Sequence, residues 1–212
     1  MFLTLLREVS KGKSMLRAYT NYAVSGIEVK GKTADIGGGK DPSYLRFLNT
    51  THATITSIDF KVEENKTIDL EKDSLPFASD SVDSVLMFNI LEHIYNHLFL
   101  VQEARRILKP GGEVLGFVPF LIQYHPDPHD YFRYTKEALG KIFKEAGFKV
   151  ETIEEVGAGP FSVNFNNLMF AFPIFARVML FPLYYVADLL ALKWKPRLKE
   201  RYPLGFKFEL KK

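Results

Sequence analysis

The sequence predicts an α/β fold: a doubly wound, seven-stranded sheet, mostly parallel, with an antiparallel last strand. Three observations predict it. Short β-rich runs alternate with amphipathic helical runs over the middle of the chain, the pattern of strand–helix–strand crossovers. The run "VDSVLMFNIL" is almost continuously apolar, as a central parallel strand covered on both faces must be. The last run, "LGFKFELK", alternates instead. Leu204, Phe206, Phe208 and Leu210 point one way, and Gly205, Lys207, Glu209 and Lys211 the other, as in an antiparallel strand with one wetter face.

In chain order, Phe2 to Val24 reads as one or two short amphipathic helices, and "GIEVKGK" as a turn-rich approach to a strand. "KTADIG" is the first strand. "PSYLRFLNT" reads as a helix, with Asp41 as N-cap and Pro42 at the first helical position. "TITSIDF" and "KTIDL" are the next strands, and "VDSVLMFNIL" the fourth. Leu98, Val101, Ala104, Ile107 and Leu108 follow at helical spacing until "KPGG" stops them. "GEVLGFVPF" is a strand, "TKEALGKIFKEAGF" a helix capped by Thr135 and closed by Gly147, and "KVETIEEV" a strand. The expected division is an N-terminal helical segment (1–29), a core (30–160 and 203–212), and an apolar helical insertion (161–202).

The chain has 212 residues and a formal net charge of +3. That balance gives no phosphate-tracking stripe, so no nucleic-acid partner is expected. Cysteine is absent, which excludes disulfides and thiolate metal sites. The N-terminus lacks the apolar core and cleavage site of a signal peptide, and a cytoplasmic location is expected.

The glycines of "TADIGGGKDPSYLRFL" sit where a ligand would be received. A dinucleotide fingerprint needs G-x-G-x-x-G, but after Gly37 and Gly39 the third position is Pro42. No Lys-Ser/Thr follows, so a phosphate-binding loop is excluded too. D-x-G-x-G with an acidic strand end suits a cationic amino group better than a phosphate. Further segments run in register with this one: "TSIDF", "IDLEKDSLPFASDSVDSVLMFNILEHI" and "EARRILKPGGEVLGFVPF". Together they resemble the class I S-adenosylmethionine-dependent methyltransferases, of the type 11 kind, over roughly residues 30 to 156. The resemblance implies a Rossmann-like core and S-adenosylmethionine as cofactor.

It also implies roles. Gly37, Gly38 and Gly39 would let the backbone approach the cofactor's methionine part, where a Cβ would intrude. Asp35 would order the loop and favour the ammonium. Asp59, with Phe60 beside it, would accept the ribose hydroxyls. Asp69 would read the adenine amino group, with Glu71 and Asp73 as rivals, and Leu70 would add backbone and apolar contact. Asn89 would end the fourth strand beside the methyl group. Glu92 and His93 of "LEHI" would mostly brace the cofactor loop.

The segment "PFLIQYHPDPHDYFRYT" follows the fifth strand, where open α/β sheets bind ligands. Its candidate catalytic residues are His129 and His125, either of which could take a proton from an acceptor, and Arg133, which could pair with Asp130 or bind an anion. The same two histidines could equally form a hydrogen-bonded lid. His125, Asp127, His129 and Asp130 match no metal-ligand motif, and no metal is expected.

Leu168 to Leu192 is long enough to cross a bilayer, but Pro173, Arg177, Pro182 and Asp188 interrupt it. Short helices broken near the two prolines are expected. With "KWKPRLKER" behind it, the insertion (161–199) suits peripheral contact with an inner membrane face, or a homodimer interface. The expected function is methyl transfer to an oxygen or nitrogen of a small-molecule, sugar or lipid-linked acceptor. The alternatives are carbon methylation of a prenylated ring, or a catalytically silent, cofactor-binding, membrane-associated scaffold.

Overall fold

The computed structural model of the chain describes residues 1–39, 41–59 and 68–212. Its strands are β1 (Glu28–Ile36), β2 (Asn49–Ile58), β3 (Val82–Phe88), β4 (Leu108–Pro119), β5 (Lys149–Val156) and β6 (Gly205–Lys211). They lie in the order β2-β1-β3-β4-β6-β5. The β1, β2, β3 and β4 strands pair in parallel, and β6 runs antiparallel to both of its neighbours. Six strands are therefore found among the described residues, not seven. The strand expected over "KTIDL" lies partly outside them, and its described end, Ile68 to Leu70, is irregular chain leading into a turn.

Strand alternation builds two cores. Ala34, Ile36, Val85, Met87, Val114, Val118, Phe206, Phe208 and Leu210 face one side. There they meet α3 (His97–Ile107) and α4 (Lys136–Glu145). Leu86, Phe88, Leu115 and Phe117 face the other. Leu204 joins that second core, just outside β6. The expected wetter face of β6 is only partly wet. Lys207 is buried between the carboxylates of Glu154, 3.0 Å away, and Glu209, 2.9 Å away, while Lys211 is exposed.

The second face is covered from the two ends of the chain. Helices α1 (Phe2–Ser10) and α2 (Met15–Ala23) share its core with α5 (Pro160–Leu168) and α6 (Ile174–Trp194); a short α7 (Leu198–Arg201) follows. Among its described residues, the connection from β1 to β2 contains no α-helix. Ser43–Arg46 is one 3-10 turn without a side-chain cap, and Asp41 pairs with Arg46 instead of capping. The expected helix fails because tertiary contacts take its residues: Tyr44 stacks on Phe88 at 4.1 Å, and Leu48 is buried.

Pro173 precedes α6 as its N-cap, as a helix-breaking residue should. Pro182 lies inside α6 and does not break it, contrary to expectation. An interior proline costs about 3 kcal/mol. Packing on both sides of it offsets this: Phe181 stacks on Phe2 at 5.5 Å, Tyr184 on Phe165 at 4.8 Å, and Tyr185 meets Phe2 edge-on at 5.1 Å. Burying a large apolar side chain contributes about 1.5–3 kcal/mol each.

Both charges in the apolar segment have partners. Arg177 donates to the Phe172 carbonyl at 2.8 Å and lies over the Phe170 ring. Asp188 is fully buried, and its two oxygens accept the Phe161 and Ser162 amides at 3.0 and 2.7 Å. These are first-turn amides of α5, which have no intrahelical acceptor. Gly159 makes room for this cap, since a Cβ there would lie 2.6 Å from Asp188 Oδ1. Asp188→Ala should therefore lower stability by about 1–2 kcal/mol, the upper range for a lost helix cap. Urea unfolding checks this; an unchanged midpoint would mean that α5 holds without its cap.

Candidate active site

A cavity of about 700 Å³ opens at the carboxyl ends of β1, β2, β3 and β4. The chain leaves β1 toward one sheet edge and later returns to β3 on the other side of β1, which makes the end of these strands a topological switch point. Gly37, Gly38 and Gly39 come from the end of β1, Asp59 from β2, and Phe88, Asn89, Ile90 and His93 from β3. Ile122, Gln123, His125, Asp127 and Pro128 come from the loop after β4. Helices supply the remaining wall: Ser14, Leu16 and Arg17 at the start of α2, and Asn166 and Phe170 at and beyond the end of α5. Asn166 joins these parts, accepting the Leu16 amide at 2.9 Å and donating to Gln123 at 3.4 Å.

The three glycines differ. Gly37 has a φ of +77°, and a Cβ there would sit 2.6 Å from Ile90. A Cβ at Gly38 would strike Asp35 and Tyr44. Both glycines thus serve the protein's own packing, which corrects the expectation that all three are kept small for a ligand. Gly39 has a φ of +66°, and among the described residues only Asp59 comes within 4 Å of a Cβ placed there, at 3.8 Å.

Asp35 lies beneath this loop and does not line the cavity. The Tyr44 hydroxyl donates to its Oδ1 at 2.6 Å, and the Ser57 hydroxyl to its Oδ2 at 3.4 Å. Burial pushes the Asp35 carboxyl up to about 6, against the pull of these two hydrogen bonds. Burial also pushes the Tyr44 phenol up, with Asp35 beside it, so Tyr44 stays protonated and keeps donating.

Asn89 adopts a left-handed conformation with a φ of +51°. Its amide donates to the Phe117 carbonyl at 2.9 Å, and its buried Oδ1 has no hydrogen-bond partner. A buried acceptor on a cavity wall is suited to a donor carried by a ligand.

The loop after β4 is clamped on the turn after β3. The Glu92 carbonyl accepts the Tyr131 amide at 2.8 Å, and the Tyr134 hydroxyl donates to the Leu91 carbonyl at 3.1 Å. Arg133 forks onto Asp130 at 2.5 and 2.6 Å and also donates to the Gln123 carbonyl at 3.2 Å. Burial would raise the Asp130 carboxyl, but Arg133 and the His125 amide hold it down at about 2. The Glu92 side chain is fully buried, and neither carboxylate oxygen has a hydrogen-bond partner among the described residues. The Nε2 atoms of His93 and His125 face its Oε1 at 3.7 and 3.8 Å. Glu92 raises the His125 imidazole, against partial burial and with help from Asp130.

Gly37, Gly38, Gly39, Asp59, Asn89 and His125 are thus brought together around one cavity. Asp69 is turned elsewhere: its carboxylate accepts the Glu71 amide at 3.0 Å and pairs with Lys72 at 2.9 Å. Leu70 is fully buried in the first core. Phe60 lies outside the described residues. Arg133 is spent on Asp130 and the loop backbone, and the His129 ring is exposed against Tyr131, away from the cavity. What His129 gives the site is its carbonyl, 2.5 Å from His93 Nδ1. His93, Glu92 and Arg17 belong to the site although sequence reasoning gave them no chemistry. The "LEHI" motif was the available signal for the first two.

Residues 34–116 match the family model described as "Methyltransferase domain". Over those residues the chain is similar to the methyltransferase domains. A Mycolicibacterium smegmatis protein named as an S-adenosylmethionine-dependent methyltransferase is 32% identical to it over 36% of this chain and 32% of its own. The demethylmenaquinone methyltransferase of Bacillus velezensis is 24% identical over 71% of this chain and 64% of its own. The chain thus spans less than two thirds of the length of either curated relative. The fold matches a crystal structure of an S-adenosylmethionine-dependent methyltransferase from Mesorhizobium loti, with a TM-score of 0.56 and 14% identity, over 96% of this chain and all of that one. The match to the domain family ends within β4, so the loop after β4 and the helical wall lie outside it.

Asp35 gives the fold a measurable pH signature. Its carboxyl titrates near 6 when folded and near 3.8 as a free group. The folded state binds this proton more tightly, so the contribution is full below about pH 4 and is lost as pH rises through 6. Asp35→Asn removes the dependence. Its melting temperature relative to wild type should climb between pH 4 and 7, by roughly 2–4 °C for each kcal/mol regained. A constant difference across that range would show that Asp35 is not destabilised by burial.

Proposed function

We propose that the chain is an S-adenosylmethionine-dependent methyltransferase acting on an oxygen or nitrogen of a small-molecule or lipid-linked acceptor. One observation carries this reading: a single cavity joins the glycine loop to the Glu92–His93–His125 cluster. A cofactor end and an acceptor end therefore share one space, which in-line methyl transfer requires.

The cofactor supplies a methyl group on a sulfonium. Around it, the residues present suit its parts. The backbone at Gly39 would admit the methionine portion. The unpartnered Asn89 Oδ1 would accept from the ammonium, and Arg17 would pair with the carboxylate. Asp59, at the end of β2, would accept the ribose hydroxyls. His93 and His125 mark the acceptor end, with Glu92 behind them.

The exposed face of α6 supports membrane-surface action on the cytoplasmic side. Phe175, Met179, Leu183, Val186, Leu190 and Trp194 form one apolar stripe, with Phe175 70%, Met179 72% and Trp194 79% exposed. Exposed Lys193, Lys195, Arg197 and Lys199 follow it, a composition that suits an anionic interface. The 21-residue helix has the length of a span. Its opposite side, however, is tied to α1 and α5 through Phe181 and Asp188, which favours lying in the interface over crossing it. A second reading, carbon methylation of a ring acceptor, is favoured by the name of the Bacillus velezensis relative together with this apolar face.

Two measurements test the proposal. Asp59→Ala should weaken S-adenosylhomocysteine by roughly 1.5–3 kcal/mol in calorimetry, the range for hydrogen bonds to a charged group. Undiminished affinity would reject the cofactor placement. Mass spectrometry of native-host extracts given labelled cofactor identifies the acceptor, and fragmentation separates heteroatom from carbon methylation; no labelled product would leave a silent scaffold. In flotation with anionic vesicles, replacing Phe175, Met179, Leu183 and Leu190 by Gln should abolish co-flotation and leave cofactor affinity intact. If wild type stays with the soluble fraction and sediments as a dimer, α6 is instead a subunit interface.

A further inference from the structure

The buried carboxylate of Glu92 has no hydrogen-bond partner among the described residues on either oxygen, and it is shut off from solvent. An anion in that position needs a compensating cation close by. The groups that face it are two imidazole nitrogens, His93 Nε2 at 3.7 Å and His125 Nε2 at 3.8 Å from Oε1. These separations are too long for hydrogen bonds. They are close to the spacing of ligands that share an ion: two donors each about 2.0–2.1 Å from a common centre, at tetrahedral to trigonal angles, stand roughly 3.3–3.6 Å apart.

The outer nitrogens of both rings are already held. His93 Nδ1 meets the His129 carbonyl at 2.5 Å, and His125 Nδ1 lies 3.3 Å from Asp130 Oδ2. A carbonyl or carboxylate behind each histidine is the arrangement that orients a metal-binding imidazole. Arg133 Nη2 also approaches His125 Nδ1, at 3.2 Å, but its two N–H groups have the Asp130 carboxylate at 2.6 Å and the Gln123 carbonyl at 3.2 Å as acceptors, which leaves Nδ1 to donate to Asp130 and the lone pair on Nε2. Both histidines border the cavity, so a fourth ligand position would open into it.

We propose that Glu92, His93 and His125 form a site for one divalent transition-metal ion in the wall of this cavity. Two imidazoles and one carboxylate select zinc, manganese or iron over magnesium or calcium, which take oxygen ligands. The role of the ion rests on the methyltransferase reading above. It would hold the acceptor's oxygen and favour the ionised form, the proton passing to solvent water. The site itself does not depend on that reading.

The test uses the full chain without an affinity tag, stripped by a chelator and titrated with Zn²⁺ and Mg²⁺ in a calorimeter. One equivalent of Zn²⁺ should bind, at least 100-fold more tightly than Mg²⁺. Glu92→Gln and His125→Ala should each weaken Zn²⁺ at least tenfold, and His129→Ala, whose ring is outside the cluster, should not. Co²⁺ should give a visible absorption band that both ligand substitutions abolish. If Glu92→Gln does not fold, His125→Ala, carried on a loop, still decides the matter. No binding, a preference for Mg²⁺, or Zn²⁺ affinity indifferent to both substitutions would overturn the proposal. Affinity of the stripped chain for S-adenosylhomocysteine is measured in parallel, so a failed metal site and a failed methyltransferase reading give different results.

Discussion

An apolar sheet face cannot be left to water, and on one side of this sheet no α-helix among the described residues of the β1–β2 connection covers it. The rest of the molecule follows from that constraint. The chain brings α1 and α2 from its beginning and α5 and α6 from near its end, and packs them over Leu86, Phe88, Leu115 and Phe117. The cavity therefore has two kinds of wall. Its floor is made by the glycine loop and the ends of β2 and β3. Its outer rim is made by Arg17, Asn166 and Phe170, side chains far apart along the chain. The floor falls within the matched methyltransferase domain, and the rim lies outside it.

The strands were legible because their signal is local. Val85 and Met87 on one face and Leu86 and Phe88 on the other require both sides to be covered, and the apolar run says so. Helix boundaries were less legible where tertiary contacts compete with local preference. Asp41 and Pro42 carry good capping chemistry, yet Tyr44 is drawn down to Asp35 and Phe88, and one 3-10 turn is all that remains. Pro182 should end a helix, yet ring packing on both sides carries α6 through it. In each case the deciding partner is distant in sequence and cannot be read from spacing.

The site shows the same division. That Gly39, Asp59 and Asn89 share one cavity was legible because they follow strand ends at a switch point, whatever the side-chain detail. The choice among the loop's polar residues was not. His125 and His129 look alike on paper, but only His125 turns its ring to the cavity; His129 is turned out and contributes through its carbonyl. Glu92 reads as an ordinary acidic residue beside a histidine. Its isolation from water appears only once the loop after β4 has closed over it through Tyr131 and Tyr134.

The Asp188 cap has a consequence that reaches beyond stability. It fastens the start of α5 to the far half of α6, while Pro173 marks the other junction between them. The two helices are thereby closed into a hairpin pinned at both ends. One arm of the hairpin carries the exposed apolar stripe, and the other ends at Asn166 and Phe170 on the cavity rim. The apolar stripe and this part of the rim therefore belong to one braced unit, joined at one end by the chain near Pro173 and at the other by the Asp188 carboxylate.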